Sequence, residues 1–493
     1  MSTSVPSNVA GIHPTITPVP QTPPPTDAPV PPGAGPERLA SWISDLSALH
    51  DLTERLARTS TLSDAIHETL RAGAHLIGAR RGLIALRPEG SGDPGAPDGD
   101  AAVGRPRPTA PDRLVGYGLA PGELGHLETV PDTAAPHTRL LDAATQDTPA
   151  GPTELTHQDI AADDTLDPRH RDVARRLGAA ASHAVLLTAG PAAADSDPAR
   201  SPDRRLRAAA VWLYDQPTEP DQRQRHLLGR YLRHAAQQLA HHATLAAARA
   251  ELATLREGLL PSRLPYLPGV TLAVRHRPLP AGGGDFYDAL ALPEQALGLA
   301  IGSTGGSGPA TVAAMGRLRA GLRAYAVMEG EDPVAVLSDL ELLLRLTEPA
   351  RSATALFGYA EPAAGRLVLA SAGHPPPLVI GEHRAEFADT TLSAPLGMLA
   401  CWEAPSVEID VARGETVLLY SAGLLRRTGE PMDRAFARLR TAARAAAPEV
   451  RADPEALLDH MLRTVPATDT DTDSGTGTGS GAEEVVLLAV RFH

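Results

Sequence analysis

The sequence predicts a multidomain protein of mixed α+β and α/β class, with an N-terminal α/β domain, a helical linker and a C-terminal domain of strands and helices. Three observations predict it. The chain has 493 residues, more than one hydrophobic core of ordinary size organises. Apolar residues at helical spacing are followed by short apolar runs of strand length. Residues 221–260 then run with hardly a helix breaker between two segments that both carry strand signals.

Taken in order, residues 1–36 are dense in Pro, Thr and Val with almost no large core-forming side chains, which predicts a disordered tail. Leu39, Ile43, Leu46, Leu49, Leu52 and Leu56 recur at helical spacing, and Leu62, Ile66, Leu70 and Ile77 resume it after Thr59-Ser60-Thr61. Two amphipathic helices are expected there. Arg81-Gly82-Leu83-Ile84-Ala85-Leu86 reads as a strand, the Gly, Pro and Asp-rich stretch 88–112 as a solvated loop, and 183–188 and 206–214 as further strands. These elements make a domain over 37–220. Residues 221–260 are expected to be an interdomain helix. Leu232 and Leu239, then Leu245, Leu252 and Leu259, lie seven apart, with a register shift between the two sets. The spacing fits a homodimer seam or a helix packed on its own domain. The second domain is expected over 261–493, with a low-complexity Thr, Asp, Gly and Ser insert at 467–482 just before the last strand.

Composition bounds the function. All 45 cationic residues are arginine, which points to a GC-rich bacterial coding sequence. A net charge of -14 and no local basic block argue against nucleic acid and anionic membrane surfaces as partners. There is no basic leader region and no apolar stretch long enough to span a bilayer, so a cytoplasmic protein is expected. Cys401 is the one cysteine, which excludes an internal disulfide and a Cys-cluster zinc site, and its plain role is that of a small buried hydrophobe.

In the first domain, the run Leu76-Ile77-Gly78-Ala79-Arg80-Arg81-Gly82, the segment Asp159-Ile160-Ala161-Ala162-Asp163 and the run Ala174-Arg175-Arg176-Leu177-Gly178 resemble those of GAF sensor domains. The resemblance implies a small α/β fold with a pocket on one sheet face, and either ligand sensing or dimerisation. His157 is a candidate ligand to a haem or metal near such a pocket, against the plainer reading of a surface histidine in a loop.

The second domain carries Leu259-Leu260-Pro261, Gly282-Gly283-Gly284-Asp285-Phe286-Tyr287-Asp288, Gly298-Leu299-Ala300-Ile301-Gly302, Ala372-Gly373-His374-Pro375-Pro376-Pro377, Pro395-Leu396-Gly397 and Leu418-Leu419-Tyr420. In order and spacing these resemble the SpoIIE-like branch of the PPM metal-dependent protein serine/threonine phosphatases. The resemblance implies a β-sandwich flanked by helices and two Mn or Mg ions held by aspartates, with a metal-activated water attacking the phosphoryl group. Asp285 matches the family's first metal ligand. Ser303 stands where the second Asp is expected, leaving the Thr304 backbone carbonyl as a matching ligand, and Ala422 stands where the third is expected. Glu483 matches the fourth as a longer carboxylate. A chain with two of four ligand carboxylates is expected to hold Mn or Mg weakly if it binds either.

The implied setting is sigma-factor control by partner switching, with an anti-sigma-factor antagonist or other phosphoprotein as partner. Three functions stay open: a regulatory pseudophosphatase, an active Mn- or Mg-dependent phosphatase, and a small-molecule sensor with a non-catalytic output domain. For individual residues the plain readings are equally open. Asp285 also reads as an acceptor in a glycine-rich turn, and the glycines before Pro309 as a tight turn into a helix rather than a phosphate cradle. His374 reads as structural punctuation rather than a general acid.

Overall fold

The computed structural model describes residues 36–87, 113–131, 134–145, 152–189, 207–348, 350–390, 393–399, 402, 405–466 and 483–493. Residues 1–35 of the expected tail, the stretch 88–112, the insert 467–482 and Cys401 lie outside them. The chain divides into two compact units, Met1–His242 and Ala243–His493.

The first unit contains α1 (Pro36–Ala57), α2 (Leu62–Ile77), β1 (Arg81–Leu86), β2 (Arg113–Tyr117), α3 (Pro121–Leu127), α4 (Pro136–Thr145), β3 (Glu154–His157), α5 (Pro168–Leu177), β4 (Ala181–Thr188), β5 (Arg207–Tyr214) and the start of α6 (Gln222–Leu259). Its strands form one antiparallel sheet in the order β2-β1-β5-β4-β3. Alternation along β5 sorts side chains to two faces. Ala208, Ala210, Trp212 and Tyr214 pack with Ile66 and Leu70 of α2 and with Tyr231 and Leu239 of α6, while Ala209, Val211 and Leu213 pack with Leu140 and Leu141 of α4. The α2 start is capped by the Thr61 side chain, which accepts from the Asp64 amide, and its end by Gly78 in the left-handed region. Leu232 and Leu239 are buried in this unit's own core, so of the two readings for the α6 leucines, packing within the unit describes these two.

The second unit takes the end of α6 and adds β6 (Val270–Arg277), β7 (Gly283–Ala291), β8 (Leu297–Ser307), α7 (Pro309–Glu329), α8 (Pro333–Thr347), β9 (Thr354–Glu361), β10 (Arg366–Ala372), β11 (Leu378–Ile380), β12 (Ala385–Phe387), β13 (Val407–Asp410), β14 (Thr416–Tyr420), α9 (Ala422–Arg426), α10 (Met432–Ala445), α11 (Pro448–Ala452), α12 (Pro454–Thr464) and β15 (Val485–Phe492). Two five-stranded sheets result, β13-β10-β9-β8-β7 and β12-β11-β14-β15-β6.

The last strand shows how they stack. Val486, Leu488, Val490 and Phe492 join the core that contains Ile301 and Phe357 of the other sheet, whereas Val485, Leu487 and Ala489 pack under Leu439 of α10 and Leu458 and Met461 of α12. Helices α7 and α8 cover the outer face of the first sheet through Met315, Leu318, Leu337 and Leu340. The layers are therefore helix, sheet, sheet, helix. Among the described residues no helix is long and apolar enough to cross a membrane.

Candidate functional site

Asp285 lies in the regular ladder of β7, paired with Ser303 of β8, rather than in a turn. The register shifts between Gly283 and Asp285, and this irregularity takes up the glycine run. Both glycines beside it are sterically required. A Cβ on Gly283 would lie 1.7 Å from Glu484 Oε2, and one on Gly284 2.1 Å from Thr304 Oγ1.

The Asp285 carboxyl is buried, and its Oδ2 has no hydrogen-bond partner. Burial and then the charge of Glu484 push its pKa up to about 6, against hydrogen bonds from Ser303 and Ser421 and the charge of Arg426. Ser303 is half-buried, and its Oγ accepts from the Gly305 amide. Thr304 continues β8, its Oγ1 buried without a partner.

Ala422 opens α9 directly after Ser421, which is wholly buried and exchanges two bonds with β15: its amide donates to Val486 O and its Oγ accepts from Val486 N. The next residue must be glycine, because a Cβ on Gly423 would lie 1.8 Å from Glu484 O.

The two glutamates before β15 divide differently from the sequence expectation. Glu483, the expected fourth ligand, is partly exposed and pairs with Arg426 at 2.9 Å. Glu484 is the buried one: its Oε2 accepts from the Asp285 amide at 3.0 Å, and its Oε1 lies 2.6 Å from Arg256 Nη1 and 2.9 Å from His276 Nε2. The physical reason is strand parity. Glu484 shares a face with Val486 and Leu488, which point between the sheets, whereas Glu483 shares the opposite face with Val485. Arg256, His276, Ser421 and Glu484 are thus the site residues that sequence reasoning missed; the signal for Arg256 was its position between Leu252 and Leu259 on one helix face. Among the described residues, no group of three or more His, Cys, Asp or Glu is arranged to hold a metal ion.

The remaining sequence candidates separate cleanly. His374 is fully buried; its Nε2 donates to Tyr420 O, and the Thr354 hydroxyl meets its Nδ1. Burial holds its pKa down at about 4 from the ordinary 6.5. The unfolded chain takes up this proton near 6.5 and the folded chain only near 4, so the contribution is complete above 6.5 and is lost as pH falls through 4. We expect this to remove about 3 kcal/mol between those limits, at a slope of up to about 1.4 kcal/mol per pH unit. Asp285 acts oppositely, since its raised value favours the folded state on acidification. Urea unfolding between pH 7 and 4 should therefore show a shallower loss in His374→Gln than in the unsubstituted protein, and equal slopes would refute the assignment.

His157, expected as a loop residue on the surface, instead ends β3 and is buried, with Nδ1 3.1 Å from Asp163 Oδ2. Pairing with Ser182 across β3 and β4 is what draws it inward. The Thr165 hydroxyl and then His157 hold the Asp163 carboxyl down at about 2. At the start of α7, Gly305, Gly306 and Gly308 have φ of 62°, 80° and 97°, and Thr311 and Val312 amides return to Gly308 O, the geometry of a tight turn into a helix.

The family model described as Stage II sporulation protein E (SpoIIE) matches residues 293–493. Over that segment the chain is similar to the SpoIIE family. The matched segment is less than half of the chain. Solved structures similar to the chain include the RsbU and RsbW domains of Rv1364c from Mycobacterium tuberculosis, at 27% identity and a TM-score of 0.40, covering 48% of this chain and 63% of that one. Another is the PP2C phosphatase domain with a fragment of the regulatory domain of SpoIIE from Bacillus subtilis, at 12% identity and a TM-score of 0.37, covering 63% and 71% of the two chains. A third is the SiaA-PP2C domain of Pseudomonas aeruginosa, at 18% identity and a TM-score of 0.38, covering 52% of this chain and all of that one.

Proposed function

We propose that the SpoIIE-type domain acts as a regulatory pseudophosphatase in a bacterial partner-switching pathway, binding an anti-sigma-factor antagonist or another phosphoprotein. The observation that carries this is the state of the four positions at which the resemblance places metal carboxylates. Only Asp285 keeps a buried carboxylate oxygen without a partner. Ser303 offers a hydroxyl, Ala422 a methyl group, and the Glu483 carboxylate is drawn to Arg426. The neighbouring acid, Glu484, is already occupied by Arg256, His276 and the Asp285 amide. Two hard divalent cations need more charged oxygens than this, so the residues present do not fit a binuclear Mn or Mg centre.

The test is Mn-dependent hydrolysis of a phosphoserine peptide by the full chain, with protein in excess and Asp285→Ala as control. We expect no turnover that the substitution abolishes. Turnover lost in Asp285→Ala would overturn the pseudophosphatase reading in favour of an active phosphatase.

A second reading, that the first unit is a GAF-type sensor, draws support from one feature. A cavity of about 30 Å³, a water-sized space on the sheet face opposite α2 and α6, is lined by Leu83, Val130, His137, His170, Ser182 and Val211. The Ser182 hydroxyl there is buried without a partner, and burial lowers the His170 pKa.

A further inference from the structure

The last turns of α6 present one face to the core of the Ala243–His493 unit. Leu252, Arg256 and Leu259 are spaced four and three residues apart, which sets them on one side of the helix. Leu252 fills the space that a Cβ on Gly282 would enter, at 2.5 Å, and Leu259 does the same at Gly316, at 3.0 Å. The Leu259 carbonyl accepts from Arg319 Nη1 at 2.6 Å. Between these two leucines the Arg256 guanidinium is 3% exposed. Arginine ordinarily keeps its head in water along an apolar surface, so a guanidinium buried to this degree is held by countercharge. Its countercharge is Glu484, at 2.6 Å, with His276 on the same carboxylate oxygen. The other oxygen of Glu484 reaches the Asp285 amide, and Gly283 is the residue that leaves room for it.

We propose that Arg256 is the resident cation of this buried acid cluster, supplied by α6 in place of a divalent metal ion. The inference rests on the metal-poor reading above and adds a consequence to it. Docking of the end of α6 and neutralisation of Glu484 are one event, so the unit folds without Mn or Mg. Removing the guanidinium leaves Glu484 and Asp285 facing each other with His276 and Arg426 as the basic groups beside them, and a small divalent ion then becomes a stabilising ligand.

Thermal unfolding of the full chain in EDTA and in excess Mn²⁺ tests this, with Arg256→Gln, Arg256→Lys and the double variant Arg256→Gln/Glu484→Gln. The unsubstituted protein should unfold at the same temperature in both conditions. Arg256→Gln should unfold several degrees lower in EDTA and regain part of the loss with Mn²⁺, and the double variant should show no Mn²⁺ response. Arg256→Lys keeps the charge without the fork, so it should remain folded and insensitive to Mn²⁺ even where the Gln variant fails to fold. A Mn²⁺ response in Arg256→Lys overturns the inference. So does an Arg256→Gln protein that unfolds at the original temperature or gains nothing from Mn²⁺, and either result leaves the metal-poor reading standing. Stabilisation of the unsubstituted protein by Mn²⁺, together with Asp285-dependent hydrolysis, sinks both.

Discussion

Asp288→Ala is expected to lower the stability of the Ala243–His493 unit by about 3–5 kcal/mol, because it leaves a buried guanidinium without its counterion. Asp288 is 1% exposed in β7, and Arg319 of α7 places Nε 2.9 Å from its Oδ2. Arg323 adds a second, more distant cation at 3.6 Å. Burial raises the Asp288 pKa and lowers that of Arg319, so desolvation opposes both charges even while they attract each other. It follows that the pair does less for stability than the loss of one partner takes away. Asp288→Ala/Arg319→Met should therefore unfold nearer the unsubstituted protein in urea than Asp288→Ala alone. A double variant as unstable as the single one would show that the Arg319 bond to Leu259 O, rather than the ion pair, holds this region.

Phe286→Ala is expected to cost a comparable amount, about 3–5 kcal/mol, through the cavity left by a fully buried ring. The ring belongs to the residue after Asp285 and packs over Gly302, whose hydrogen leaves the only space for it: a Cβ there would lie 2.5 Å from Phe286 Cζ and 2.6 Å from Thr354 O. Gly302→Ala approaches the same contact from the opposite strand and should cost about 1–3 kcal/mol by overpacking, since a backbone carbonyl yields little. Both are read from urea midpoints of the full chain. A loss in Phe286→Ala below about 1 kcal/mol would mean that β7 and β8 collapse around the gap, contrary to the packing described.

Several of the helices and strands are legible in the sequence, because they are carried by local periodicity. Helical spacing in 39–56 and 62–77, the apolar run of Arg81–Leu86 and the stretch 221–260 with hardly a breaker each depend only on neighbours within a few residues. That Ser303 and Ala422 bring no carboxylate to the positions where the resemblance places one is equally legible, since side-chain chemistry belongs to the residue. His157 was misplaced for the converse reason: four strand residues between loops carry too weak an alternation to reveal that Ser182 of β4 pairs beside it.

The sequence by itself thus determined the first two helices, the strand after them, the long helix ending near Leu259 and the side-chain types at Asp285, Ser303 and Ala422. Only the tertiary structure decided which of two adjacent glutamates turns inward, and what meets it there. Glu484 rather than Glu483 faces Asp285 because strand parity is set by where β15 joins β14 and β6, which is a long-range matter. Arg256 reaches Glu484 across 228 positions of the chain, and its place between Leu252 and Leu259 marks an apolar helix face without naming the carboxylate that meets it there. A charge finds its partner through the fold, whereas the chemical type of each side chain is already settled by the covalent chain.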